Sequence, residues 1–208
     1  MRTLLLLICL LVTSSLPATA WALRVQDGDL LFVTATHTGL SGAINDATGK
    51  QGQLNYDHVA LVASDDAGRI VLHADDQGSR QQTLDAFLAD AEARQRQVVV
   101  YRLKRGARNA IPAAIQQARG LLGKPYNFTY VQAEDSYYCS DFIERAFRAD
   151  HVFALQPMNF KNPQTGQIST YWTDFYRDKG MEVPQDKPGT NPNDMARSEV
   201  LQRIGQLR

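Results

Sequence analysis

The chain has 208 residues, and its 22 Lys and Arg side chains are balanced by 22 Asp and Glu side chains. This balance gives no electrostatic reason to expect a nucleic acid or an anionic membrane as the main partner. The length suits one domain with its own hydrophobic core, which we place at residues 23–208.

Residues 1–22 have the composition of a secretory signal peptide. Arg2 gives a positive start, and residues 4–12 are almost wholly apolar over a run too short to span a bilayer. Small residues at positions 18, 20 and 22 offer cleavage sites. We therefore expect an exported protein, periplasmic or extracellular. An N-terminal membrane anchor is the alternative interpretation.

Hydrophobic patterns in the rest of the chain predict strands followed mainly by helices. The second strand is apolar on both faces and is expected at the centre of a sheet. Thr83 is the expected N-cap of the first long helix. Strands are predicted at residues 30–33, 56–64, 69–74 and 98–103, and helices at 42–46, 84–91, 109–122, 139–148 and 195–208. This order favours an α+β fold over repeated βαβ units.

Cys139 is the cysteine of greatest interest. The other cysteine, Cys9, lies in the predicted signal peptide, so Cys139 would be an unpaired thiol in an oxidising compartment. Such a thiol is either buried and inert or kept for its reactivity. Cys139 begins a predicted helix and shares its inward face with Phe142 and Ile143. A helix N-terminus favours the thiolate, which makes Cys139 a candidate nucleophile.

Two histidines precede this helix on neighbouring predicted strands. His58 lies within an apolar strand, where an unpaired imidazole would be costly, so it is either hydrogen-bonded or functional. His73 lies on the next strand. Antiparallel pairing of the two strands would bring the rings together, and His73 would then hold His58 in one tautomer, as the third group of a catalytic triad does.

Five short motifs occur in an order that resembles a known family. The group is the permuted branch of the NlpC-type papain-like cysteine hydrolases, the YiiX/YebB-like proteins, in which the histidine strand precedes the cysteine helix. The motifs are Gly28-Asp29-Leu30-Leu31-Phe32, Asp57-His58-Val59-Ala60-Leu61-Val62, Leu72-His73-Ala74, Gly123-Lys124-Pro125-Tyr126 and Tyr138-Cys139-Ser140-Asp141-Phe142. The resemblance covers residues 27–148, and residues 159–192 resemble the C-terminal part of some members.

The resemblance implies a circularly permuted papain-like fold. In that fold a small antiparallel β-sheet or barrel packs against the helix that carries the cysteine. Residues 150–208 would form a C-terminal extension packed on the same domain.

The resemblance also implies catalytic roles. Cys139 would be the nucleophile and His58 the general base. The third position often holds glutamate in this branch, whereas the matching residue here is His73. Asp75 and Asp76, just beyond it, are rival orienting groups.

Two tyrosines are expected at the substrate. Tyr126 matches a tyrosine that borders the active site in these proteins, although simple packing beside Pro125 also explains it. Tyr138 directly precedes the candidate nucleophile. We predict both as substrate-binding residues.

The implied reaction is hydrolysis of an amide bond through a thioester on Cys139, without a cofactor. The substrate would be a cell-wall peptide or a related amide. Three other interpretations stay open. One is a lipid acyltransferase or thioesterase with the same Cys-His chemistry. Another is a non-catalytic binding protein on this fold. The third is a zinc site, which the absence of paired-ligand motifs disfavours.

Overall fold

The computed structural model describes residues 23–207, so the predicted signal peptide lies outside the described residues. Eight strands are present: β1 Leu30–Thr34, β2 Tyr56–Asp65, β3 Gly68–Asp75, β4 Gly78–Thr83, β5 Val98–Leu103, β6 Gln156–Met158, β7 Lys187–Gly189 and β8 Leu201–Leu207. Six α-helices are present: α1 Gly39–Thr48, α2 Leu84–Ala93, α3 Ile111–Gly120, α4 Cys139–Phe147, α5 Thr170–Arg177 and α6 Pro192–Ala196. Two 3₁₀ helices, Arg105–Ala110 and Arg148–Asp150, precede α3 and follow α4.

Six of the strands form one antiparallel sheet in the order β4-β3-β2-β1-β5-β8. On one face, Phe32 packs with Ala118 of α3 and Phe142 of α4. On the other face, Val62 packs with Phe87 of α2. Because helices cover both faces, β2 is apolar on both sides, as its sequence predicts. The sheet and its helices confirm the predicted α+β fold.

The C-terminal region completes the sheet and adds a third cluster. The helix predicted at residues 195–208 is wrong, because α6 ends at Ala196 and β8 then pairs with β5 along the edge of the main sheet. Trp172 and Tyr176 of α5 pack with Phe160 and with Ala43 of α1. The part of the chain predicted as an extension therefore supplies both a sheet edge and an aromatic cluster.

Helix α4 is buried along its whole length. Its apolar face packs on the sheet, and its charged residues form ion pairs. Arg145 Nε donates to Asp141 Oδ1 at 2.9 Å, and Arg148 pairs with Glu144. Gln132 Nε2 also donates to Asp141 Oδ1, at 2.7 Å. These partners offset the cost of burying charge and hold the first turn of α4 in place.

Among residues 23–207, no helix combines the length and the apolar character needed to cross a membrane.

Candidate active site

Cys139 is the first residue of α4 and the one free cysteine of the described chain. Its side chain is 5 % exposed. The sulfur lies 3.7 Å from the backbone oxygen of Asp57, which is the second residue of the central strand β2. The thiol therefore sits where the helix N-terminus meets the start of β2.

Strand β2 is irregular next to this thiol. Its pairing with β1 runs Val33↔His58 and then Thr34↔Tyr56, which leaves Asp57 as an extra, bulged residue. Its pairing with β3 ends at Leu61↔Leu72. The start of β2 therefore has a free edge on the β3 side, which leaves its backbone open to the sulfur.

The structure brings the two predicted histidines together. His58 Nε2 lies 3.0 Å from His73 Nδ1, and the ring planes are almost perpendicular, at 84°. Phe87 of α2 packs against both rings, with centroid distances of 6.1 and 5.5 Å. His73 is buried, and His58 is only partly exposed. The pair is thus held on the α2 face of the sheet, because His58 lies opposite Val33 of that face.

Neither histidine hydrogen-bonds Cys139 in the described chain. The thiol packs within the cluster on the α3–α4 face, and the imidazoles lie on the other. The backbone of residues 57–59 passes between them. Because Nε2 of His58 is engaged by His73, Nδ1 is the ring nitrogen left for another partner.

Asp75 does not take the place of His73. Its carboxylate is bound by Arg80, whose Nη2 donates to Oδ2 at 2.6 Å. Asp76 is exposed at the rim of a cavity that also contains both histidines. Of the three predicted orienting groups, His73 is the one in hydrogen-bond distance of His58.

Two cavities meet at this point. The first, of about 440 Å³, contains Cys139 and is mainly apolar; its walls include Tyr126, Tyr130, Tyr138, Met158, Phe160 and Trp172. The second, of about 340 Å³, is more polar than the first and contains the histidine pair with Arg80, Gln82, Asp90, Arg94 and Arg96. Ile44, Asp57 and Tyr126 line both cavities. The thiol and the imidazoles therefore open onto adjoining spaces.

Both predicted tyrosines line the thiol cavity. Tyr126 is half-buried at the junction of the two cavities. Tyr138 is buried, and its hydroxyl accepts a hydrogen bond from Thr190 N at 3.1 Å. The contacts of Tyr138 with the C-terminal region give it a packing role as well. Binding of substrate by either tyrosine stays a prediction.

Sequence reasoning missed Tyr130 and Arg96. Tyr130 is a buried wall of the thiol cavity with a left-handed backbone, φ 53°, and its hydroxyl has no partner among the described residues. Arg96 follows the end of α2 and pairs with Asp57. Both residues lie in irregular segments, where no periodic pattern marks a side chain as inward-facing.

Burial keeps the thiol and the imidazole neutral. Desolvation raises the pKa of Cys139 to about 11, although nearby backbone N–H groups oppose the shift. Desolvation, and then the neighbouring His73, lower the pKa of His58 to about 3. Desolvation also lowers the pKa of His73 to about 4. At neutral pH the site therefore holds a neutral thiol and neutral imidazoles, so an attack by the sulfur needs a base to take its proton.

This ionisation predicts an unusually broad pH profile. The neutral pair exists above the pKa of His58, about 3, and below that of Cys139, about 11. We expect kcat/KM to be level between about pH 5 and 9 and to fall only beyond these limits, since it reports the free enzyme's acid and base. Limbs near about pH 6.5 and 8.5, the unperturbed values, would contradict this assignment.

The acid limb has to be measured on folded protein. Both histidines have lowered pKa values in the fold, so protonation favours the unfolded chain. Their contribution to stability is complete above the unfolded pKa of about 6.5 and is lost as the pH falls towards the folded values. Circular dichroism at each pH separates loss of fold from loss of activity.

A thiol at a helix N-terminus that packs on an antiparallel sheet carrying a histidine pair is typical of papain-like cysteine hydrolases. The chain belongs to the family of permuted papain-like amidases, the YaeF/YiiX or C92 family, whose model matches residues 24–205. It is therefore a cysteine hydrolase of amide bonds, and the family predicted from the five motifs is confirmed. The match extends into β8, so it includes most of the C-terminal region.

A solved structure is similar over almost the whole domain. It is the crystal structure of the metalloprotein yiiX from Escherichia coli O157:H7, with a TM-score of 0.69 and 22 % sequence identity. The alignment covers 87 % of this chain and 97 % of that chain. At this identity the likeness supports the permuted papain-like fold. The comparison with curated proteins gives no match.

Proposed function

We propose that Cys139 is the nucleophile and His58 the general base in hydrolysis of an amide through a thioester. One observation carries the proposal. The thiol lies 3.7 Å from Asp57 O, and the next residue along β2 is His58, which is hydrogen-bonded to His73 at 3.0 Å. The candidate nucleophile therefore lines one of two adjoining cavities, and the candidate base and orienting group line the other.

The reaction proceeds in two half-reactions. In the first, the sulfur attacks the carbonyl carbon while its proton passes to His58 Nδ1. The tetrahedral intermediate then collapses, the C–N bond breaks, and His58 returns the proton to the leaving amine. In the second, His58 removes a proton from water, which attacks the thioester and releases the acid and the thiol. Each proton taken by His58 is returned, so the enzyme is regenerated.

The start of α4 supplies stabilisation for the intermediate. Cys139 is the first helical residue, so its backbone N–H has no intrahelical acceptor. This N–H and the helix dipole favour negative charge on the carbonyl oxygen beside the sulfur. The same groups are in place before substrate binds.

His73 acts as the orienting group in this proposal. For Nδ1 of His58 to accept the thiol proton, Nε2 must carry the ring proton, which it donates to His73 Nδ1. His73 then holds its own proton on Nε2, which is buried and has no hydrogen-bond partner in the described chain. The Gln82 carboxamide lies beside it and raises the His73 pKa, against the larger effect of burial. A neutral imidazole supports a charged His58 less than a carboxylate would.

The missing hydrogen bond between Cys139 and His58 is compatible with this chemistry. Catalytic hydrogen bonds are often long without substrate and tighten when it binds. A substrate carbonyl entering the thiol cavity would displace the sulfur from Asp57 O and bring it towards Nδ1. Proton transfer requires this approach.

The proposed mechanism uses side chains and backbone groups of this chain alone. The similar yiiX structure is that of a metalloprotein. In this chain, the two facing histidine nitrogens are directed at each other. No group of three or more His, Cys, Asp or Glu side chains within residues 23–207 is arranged to hold a metal ion. The donor set at the thiol therefore does not fit a metal centre, and no step of the mechanism passes through one.

We further propose that the protein is exported and acts on amides derived from cell-wall peptides. The signal-like composition of residues 1–22 supports export. The polar second cavity, with three arginines and four aspartates, suits a charged peptide. Cell fractionation followed by mass analysis tests export: a periplasmic chain beginning near Trp21 or Leu23 supports it, and protein found only in the cytoplasm with an intact N-terminus overturns it.

The thiol cavity favours a second candidate substrate, an apolar acyl group. Its walls are mainly aromatic and aliphatic, and its volume is about 440 Å³. Such a space suits the chain of an acyl ester or an N-acyl amide. The enzyme would then be a lipid acyltransferase or thioesterase with the same nucleophile.

A substrate screen separates these candidates. Wild type and Cys139→Ala are compared on murein peptides, N-acyl amino acids and acyl esters. Release of amines from murein peptides by wild type alone supports the first candidate. Cleavage of acyl esters but not of peptide amides favours the second. Equal turnover by Cys139→Ala on every substrate would exclude the proposed nucleophile.

A further inference from the structure

A buried ion pair links the two cavities. Arg96 and Asp57 form it, with side chains 13 % and 6 % exposed. A buried pair of this kind is an inefficient way to stabilise a fold, because desolvation of the charges offsets their attraction. Its position near the thiol therefore indicates a role other than stabilising the fold.

The main chain fixes Arg96 in position. Arg96 N donates to Ala91 O at 2.9 Å, and the preceding Gln95 has a left-handed backbone, φ 54°, with its N donating to Glu92 O at 2.8 Å. These bonds close the C-terminus of α2. The side chain of Arg96 therefore points towards the end of β1.

The guanidinium bridges both strands of the bulge. Arg96 Nε donates to Thr34 O at 2.7 Å, and Nη2 pairs with the carboxylate of Asp57. Thr34 is the residue at which the β1–β2 register shifts, and Asp57 is the bulged residue. One planar side chain therefore holds the partner strand and the bulge together, which the single ammonium of lysine would do less well.

The bulge in turn sets the geometry of the candidate catalytic groups. Asp57 O lies 3.7 Å from Cys139 Sγ, and the same backbone carries His58 onward to His73. β-Bulges occur often beside active sites, where they redirect a side chain. Arg96 and Cys139 also interact electrostatically: burial lowers the pKa of the Arg96 guanidinium, and the interaction with Cys139 opposes that shift.

We propose that the Arg96–Asp57 pair is a positioning device for the Cys139–His58 couple. It fixes the bulge that places the Asp57 carbonyl against the thiol and His58 at the junction of the cavities. Arg96 and Asp57 are positioning residues, since they act through the backbone of β2. The inference rests on the proposed function, because it assigns a purpose to geometry around the proposed nucleophile.

The chain offers a matched control. Arg102 Nε donates to Asp29 Oδ1 at 2.7 Å and Nη2 to Oδ2 at 2.8 Å, and Asp29 is fully buried. This pair joins β5 to the residue that precedes β1, in the same sheet. Neither residue lines the thiol cavity or the histidine cavity. Loss of this pair therefore reports the structural cost of removing a buried arginine.

The experiment compares Arg96→Met with Arg102→Met. Each variant is assayed below its unfolding midpoint, with the best substrate of the screen and with iodoacetamide, whose alkylation of the Cys139 peptide is followed by mass spectrometry. Both variants are expected to have a lower Tm. Only Arg96→Met is expected to lower kcat, by at least about tenfold with KM nearly unchanged, and to slow alkylation of Cys139.

Equal kcat and alkylation rates in the two variants would overturn the inference. If Arg96→Met does not fold, Arg96→Lys is compared with Arg102→Lys by the same criteria. The control for the proposed function is separate. Wild-type turnover in Cys139→Ala would contradict the assignment of Cys139 as the nucleophile. If Cys139→Ala is inactive but Arg96→Met keeps the wild-type kcat, only the positioning role of the Arg96–Asp57 pair is contradicted.

Discussion

Cys139→Ala is expected to lower kcat by about 10⁴-fold or more, because removal of a covalent nucleophile leaves only binding and oxyanion stabilisation. The fold should survive. Alanine suits the first turn of α4, keeps part of the buried packing of the side chain, and loses only a long polar contact of the sulfur, 3.7 Å, with Asp57 O. We expect the free energy of unfolding to change by about 1 kcal/mol or less.

Single-turnover assays and urea unfolding of the same preparation check this prediction. Cys139→Ser is a useful companion, because it keeps the size of the side chain and replaces the thiol by a far weaker nucleophile at neutral pH. It should be folded and nearly inactive as well. A folded Cys139→Ala enzyme with normal turnover would remove the thiol from the mechanism.

His58→Ala should lower kcat by about 10²- to 10⁴-fold, the usual contribution of a general acid–base group. The reason is the raised pKa of Cys139, about 11, which leaves little thiolate at neutral pH without a base. His73→Gln should have a smaller effect, about tenfold, since one neutral hydrogen bond is worth about 1–1.5 kcal/mol. The ordering of the two losses tests the roles of base and orienting group.

Control variants make this ordering informative. His37 is exposed in the loop before α1 and lines neither cavity, so His37→Ala should behave as wild type. A wild-type rate in His73→Gln would remove His73 from the triad. Equal losses in His58→Ala and His37→Ala would show that neither imidazole accepts the thiol proton.

Strong periodic patterns made the centre of the fold predictable. Strand β2 is apolar on both faces, and α4 places its first residue on the inward side, so their meeting follows from the hydrophobic pattern. Thr83 caps α2 as expected, accepting a hydrogen bond from Ala86 N at 3.2 Å. The proximity of His58 and His73 follows from antiparallel pairing of adjacent strands.

Edge strands and loops were not predictable in the same way. Strand β4, Gly78–Thr83, consists of Gly, Ser, Arg, Gln and Thr residues. It therefore lacks the alternating apolar residues that predict a strand. Strand β8 is half-exposed, and its sequence pattern predicted a helix. Pairing with β5 holds it as a strand instead. Tertiary contacts override such weak local preferences.

The details of the site depend on these unpredictable parts. No sequence pattern marks the bulge at Asp57, although the carbonyl of this residue contacts the thiol. Arg96 and Tyr130 lie in irregular segments and reach the site only through the fold. The motifs therefore predicted the candidate residues, whereas only the fold shows that the thiol and the histidines open onto two different cavities.

The most direct test of the proposed mechanism is to trap the acyl-enzyme. Wild type is mixed with the best amide substrate, quenched in acid during turnover, and digested for mass spectrometry of the Cys139 peptide. We predict a mass increase equal to the acyl part of the substrate, sensitive to hydroxylamine as a thioester is, and absent from Cys139→Ala. Continued turnover in His58→Gln at the wild-type rate would weaken only the base assignment. Rapid turnover by wild type with no adduct on Cys139 under any quench time, together with full activity of Cys139→Ala, would contradict the central claim.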